Sequence, residues 1–170
     1  MKKLNILKTI LDFFCWSALL FLAGLILFLP FYLLEAKPDI DIEIRGQKIL
    51  NHNTFTKTIV TINVISSLVF LYSIYLLRKV IVLFQKREIF NDEVVRLLNL
   101  IGKLIVASSI ISSFSIYFYN MIERNHLGIS LDFGSYYSFL ISVSLGLFFM
   151  VISEVFKIAK TMKEENDLMI

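Results

Sequence analysis

One cysteine, two prolines and two histidines in 170 residues remove several chemistries at the outset. The single Cys15 excludes an intrachain disulfide and any cluster of thiolate ligands. His52 and His126 stand apart, with no carboxylates nearby at ligand spacing, so no metal site and no cofactor is read from them. The chain has no HExxH, no GxSxG, no glycine loop to cradle phosphate and no pair of thiols, which leaves no catalytic motif. No polar stretch is long enough to bury a core of its own, so no separate soluble domain is expected.

What the chain has in excess is apolar surface: 57% of its residues are hydrophobic, with sixteen Phe and seven Tyr. An ordinary soluble domain holds roughly 45–50%. The excess is gathered into four blocks, at about 10–34, 59–77, 97–119 and 136–156. About 20 apolar residues span a bilayer core as a helix, and each block meets or approaches that length. The first follows Lys2, Lys3 and Lys8, as a secretory signal would. It runs through Pro30 to Leu34, well past the roughly 7–15 apolar residues of a signal peptide, and is read as a retained anchor. Backbone groups in hydrocarbon need internal partners, so each block is predicted to be a helix. The expected fold is an all-α membrane protein, a bundle of four transmembrane helices forming one domain over residues 1–170.

Basic residues set the predicted direction. Twelve fall in the first tail (Lys2, Lys3, Lys8), the 78–103 region (Arg78, Lys79, Lys86, Arg87, Arg96, Lys103) and the last tail (Lys157, Lys160, Lys163). Five fall in the other two loops: Lys37, Arg45, Lys48, Lys57 and Arg124. The positive-inside rule then places both termini, the linker 78–96 and the tail 157–170 in the cytoplasm of a cell whose plasma or inner membrane holds the protein. Tyr32, Tyr117, Tyr119, Tyr136 and Tyr137 fall at the outer helix ends, as an aromatic belt would.

In the first outer loop, "PDIDIEIRGQKIL" alternates Ile40, Ile42 and Ile44 with Asp39, Asp41 and Glu43. That period-2 pattern, with Arg45-Gly46 as a turn into residues 47–50, predicts a short β-hairpin lid. Within the blocks, Ser138, Ser142 and Gly146 recur at four-residue spacing, as do Ser108 and Ser112. Small faces of this kind let helices approach closely and hydroxyls bond across the contact. Asp12, Lys103 and Glu154 lie near the predicted cytoplasmic boundary, where a pair between Glu154 and Lys103, Arg78 or Lys79 is expected to orient the helix ends.

The linker "LFQKREIFNDEVVRLLNLIGKLI" changes from charged to apolar at helical spacing. Asn91 reads as an N-cap, Asp92 and Glu93 suit the first turn, and Val94, Leu97, Leu98 and Ile101 form one apolar stripe. This stretch resembles the signature of the domain of unknown function 2975 family of small bacterial membrane proteins, with Phe90, Asn91, Arg96, Leu97, Ile101 and Gly102 in the family's places. The end, "SEVFKIAKTMKEENDLMI", is similar to the family's terminal run at Glu154, Phe156, Glu165, Asn166, Asp167, Leu168 and Ile170. The chain departs from the family pattern at Met169, where a small hydroxyl residue is more usual, and at Lys86-Arg87, where a glycine is common. The resemblance implies a four-helix membrane protein paired with a small helix-turn-helix regulator.

These readings converge on a non-enzymatic signalling or docking protein that does not itself bind nucleic acid. Its partners are the lipid bilayer and, by family association, a small DNA-binding regulator. The alternative is a small transporter or channel-like homo-oligomer. The candidate cytoplasmic surface, docking or structural, comprises Lys86, Arg87, Phe90, Asn91, Arg96, Glu154, Glu165, Asp167, Leu168 and Ile170. An apolar Leu168-Met169-Ile170 after the acidic cluster suggests that the tail folds back onto the basic linker or fills a partner's groove.

Overall fold

Hydrocarbon offers no water to a peptide group, and each apolar block answers by bonding within itself as a helix. The computed structural model describes residues 2–34, 43–44, 47–48, 53–123 and 133–168. Its helices are α1 (Lys2–Leu34), α2 (Thr54–Gln85), α3 (Asp92–Glu123) and α4 (Phe133–Asp167). All four are long and apolar enough to cross a membrane, which is the architecture of a multi-pass membrane protein. A helix of 32 residues, such as α2 or α3, is roughly 48 Å long, against about 30 Å of hydrocarbon. The helices therefore extend beyond the predicted spans, and the connection between α2 and α3 shrinks to residues 86–91.

The hairpin expected in the first loop is not supported as an element of the fold. The described residues there show only a two-residue ladder, Glu43 opposite Lys48 and Ile44 opposite Gln47. Two strands this short have no face to bury and add no layer to the helices. The other residues of that expectation, 39–42, 45–46 and 49–50, lie outside the described residues, as do His52 and His126.

Packing follows chain order, α1 on α2, α2 on α3 and α3 on α4, with α3 the most enclosed helix. The predicted stripe of α3 is its core face: Val94, Leu97, Leu98 and Ile101 are all buried against Leu76, Val80 and Leu83 of α2. Phe149, Ile152 and Phe156 of α4 close the same cluster. A second cluster at the opposite end joins Tyr32, Ile59, Val60 and Tyr119. Tyr32 and Tyr119 are thus core residues, while Tyr117 and Tyr137 stay exposed as belt residues would. The phenol rings carry enough apolar area to favour burial wherever neighbouring helices supply a wall.

The serines of α3 turn toward α2. Ser66 Oγ donates to the Ser108 carbonyl at 2.6 Å, and Ser112 Oγ donates to Asn63 Oδ1 at 2.9 Å. The close approach of α3 and α4 belongs to two glycines. A Cβ on Gly102 would sit 2.5 Å from the Gly146 carbonyl oxygen, and one on Gly146 would sit 2.8 Å from the Gly102 oxygen. Nothing lies within 4 Å of a Cβ built on Gly24 of α1.

These distances order three substitutions. Gly102→Ala and Gly146→Ala force the helices apart and are each expected to cost about 1–3 kcal/mol, read as a lower thermal unfolding midpoint in detergent. Gly24→Ala should leave the midpoint unchanged or raise it slightly, since alanine favours the helix by about 1 kcal/mol. Equal effects at all three positions would contradict the crossing.

Candidate functional site at the linker end

The turn between α2 and α3 is built from backbone first. The Arg87 N–H donates to the Phe84 carbonyl at 3.1 Å and the Glu88 N–H to the Leu83 carbonyl at 3.1 Å. This pair of bonds is a Schellman ending, with Lys86 as C-cap and Arg87 just beyond it at φ 64°. A side chain in this left-handed region is strained, and glycine is the usual occupant. Five residues past Lys86, Asn91 starts α3 as predicted. Its Oδ1 accepts from the Glu93 N–H at 3.1 Å, and its carbonyl accepts from the Val94 N–H at 3.0 Å.

Side chains then tie this turn to its neighbours. Glu93 pairs with Lys79 of α2 at 2.6 Å, and Asp92 pairs with Lys160 of α4 at 2.6 Å. The acidic first turn of α3 thus holds a base from the helix on either side, besides facing the favourable end of its own dipole. Phe156 packs between Phe84 and Phe90, with ring centroids 5.6 and 6.4 Å away. Lys163 Nζ lies 5.8 Å over the Phe90 ring, and Ser153 Oγ donates to the Val95 carbonyl at 2.7 Å. The ends of α2, α3 and α4 form one platform.

The candidate residues divide on it. Asn91 and Phe90 are built into the platform, whereas Lys86, Arg87 and Arg96 point outward. Glu165, Asp167 and Leu168 are exposed, Leu168 at 87%; Ile170 lies outside the described residues. Glu154 does not pair with Lys103, Arg78 or Lys79. It is exposed and meets only Lys157, one turn on, at 3.6 Å. Its position on α4 faces away from α3, because Ser153 takes the inward place. As far as Leu168 the tail also does not fold back; residues 169–170 lie outside the described residues. α4 continues unbroken to Asp167, and the contact with the linker has the opposite polarity to that expected, a tail lysine on a linker acid.

Sequence reasoning missed the strongest clasp of α1. Asp12 accepts a charge-assisted bond from Arg78 Nε, and close by Gln85 Nε2 donates to Asn5 Oδ1 at 3.0 Å. The available signal was a lone acid in the first block and a base at the end of the second, both at the same predicted depth. Asn63 of α2 lines, with several serines, a cavity of about 490 Å³ between the helices.

Comparison with known proteins bears on the chain as a whole. The family described as "Protein of unknown function (DUF2975)" matches residues 9–170. The chain belongs to that family. No curated protein and no solved structure matches it significantly. Ile101 is a core residue and Gly102 the point of contact with α4. A glycine would suit the left-handed turn that Arg87 occupies.

Three substitutions at two positions test the turn. Arg87→Gly relieves the left-handed side chain and should raise stability by about 1 kcal/mol, while Arg87→Val should lower it. Asn91→Ala removes the cap and should cost about 1 kcal/mol. Thermal unfolding of purified protein reads all three, and destabilisation by Arg87→Gly would contradict the turn.

Proposed function

We propose that this DUF2975 protein is a non-enzymatic signalling or docking protein of the cell membrane, with both termini and the α2–α3 turn in the cytoplasm. The excess of basic residues near that end supports the orientation. One observation carries the docking role. The platform is fixed by a Schellman turn, a capped helix, two inter-helix ion pairs and an aromatic cluster, yet the side chains of Lys86, Arg96, Glu165 and Leu168 take no part in holding it together. A rigid base that presents unused charge and one exposed apolar residue is suited to receive a folded soluble partner. The family association makes that partner a small helix-turn-helix regulator, held at the membrane by this surface.

A small transporter or channel-like oligomer is the rival, and the polar cavity is what favours it. An ion path normally shows charged groups near the midplane. Among the described residues the one charged group lining the cavity is Glu43, which belongs to the short ladder outside the helices.

The test is recovery of the partner in mild detergent. The intact protein should bring down a small DNA-binding protein, and Lys86→Glu with Arg96→Glu should abolish recovery without moving the unfolding midpoint. Recovery that is indifferent to both charges, or the absence of any DNA-binding protein, would sink the docking reading.

A further inference from the structure

Inside hydrocarbon, a serine hydroxyl on a helix ordinarily bonds back to a carbonyl of its own helix. Ser67 does so with Asn63 at 3.0 Å, Ser108 with Ile105 at 2.9 Å and Ser115 with Ile111 at 2.8 Å. Ser109 of α3 and Ser142 of α4 break the pattern. Both line the 490 Å³ cavity, and neither hydroxyl has a hydrogen-bond partner in the described structure. Ser109 is only 4% exposed, so the lipid face of its helix offers its hydroxyl nothing either. These hydroxyls open on the cavity rather than being sealed in by protein, and the space they face is where a partner can sit.

The other walls say what that partner is like. Asn63 spends its amide on the Ile59 carbonyl and on Ser112, and still has a second N–H and a carbonyl lone pair to offer. Opposite these polar groups stand Phe21, Phe28 and Phe70, an apolar wall from α1 and α2. Among the described residues no Lys, Arg, Asp or His lines the space, and Glu43 is its single charged group. The volume lies within the roughly 300–1,000 Å³ of small-molecule sites, which are likewise mostly apolar with a few converging polar groups.

We propose that this cavity is a binding site for an uncharged amphipathic molecule. Its hydroxyl or carbonyl head lies on Ser109, Ser142 and Asn63, and its hydrocarbon body lies on Phe21, Phe28 and Phe70. The site stands whether or not the platform docks a regulator. A neutral membrane lipid and a free alcohol share this chemistry.

The full chain in phosphatidylcholine nanodiscs, photolabelled with a diazirine-bearing dodecanol, tests it. Saturable labelling is expected on the peptides that carry Phe21 and Phe70, competed by unlabelled dodecanol and not by dodecanoate. Ser109→Ala should weaken that competition about five-fold, the equivalent of one neutral hydrogen bond. Ser109→Leu should abolish it by filling the space. Ser142→Leu, at a half-buried position, obstructs the same cavity should Ser109→Leu fail to fold, and an unchanged unfolding midpoint qualifies each variant. Competition by dioleoylglycerol in the disc assigns a bilayer lipid, and competition by hexanol in the buffer assigns a free solute. Unsaturable label spread over the outer faces of α1 and α4, and unchanged in both Leu variants, would overturn the site.

Discussion

A bilayer supplies no solvent to a polar group, so such a group between these helices is answered by another part of the chain or by something that enters between them. That constraint acts most visibly on α1, the helix with the least enclosed surface. It is fastened to α2 at one end by Asp12 on Arg78 and Asn5 on Gln85. At the other end Lys57 donates to the Leu33 carbonyl at 2.9 Å, satisfying a helix terminus that would otherwise lack a partner. Pairs like these add little net stability relative to apolar packing, but they fix register, because sliding α1 by one turn would strand both members.

The other three helices hold together differently. Their contact rests on the apolar cluster around Val94 and Ile101 and on the glycine crossing, where shape decides the distance. Because Gly102 brings α3 close to α4, Phe156 can reach Phe84 and Phe90, and Lys160 can reach Asp92. The platform is therefore a consequence of the crossing one to two dozen ångströms deeper in the helices, by the roughly 1.5 Å rise per residue. The same arrangement, with α1 leaning mainly on α2, leaves room between the helices for the polar cavity.

Much of this was legible in the sequence because single residues determined it. Block length and composition gave four membrane-length helices, and Asn91 followed by two acids gave the start of α3. The i, i+3, i+4, i+7 spacing from Val94 to Ile101 gave its buried face. Inter-helix pairings were less legible, because they depend on rotation about each helix axis, which block boundaries do not fix. Glu154 was assigned a partner by depth alone, and one residue's rotation puts Ser153 inward and Glu154 outward. Asp12 and Arg78 had the same depth signal and do meet. The serines were assigned to packing, and Ser66 and Ser112 do bond across helices, but the two that open unpaired on the cavity could be found only once it was formed around them. The outer loop's alternation of isoleucine and acid was real as a pattern, yet its paired part is too short to make a layer.

The account's central claim is that the α2–α3 turn and the end of α4 share one side of a four-span membrane protein, opposite the start of α2. Single cysteines at Thr54, Glu88 and Glu165, introduced one at a time with Cys15→Ser, can be probed with a membrane-impermeant maleimide in right-side-out and inverted vesicles. The account predicts that Glu88→Cys and Glu165→Cys react only in inverted vesicles, and Thr54→Cys only in right-side-out ones. Reaction of Glu88→Cys and Glu165→Cys from opposite faces, or of Thr54→Cys and Glu88→Cys from the same face, would contradict it.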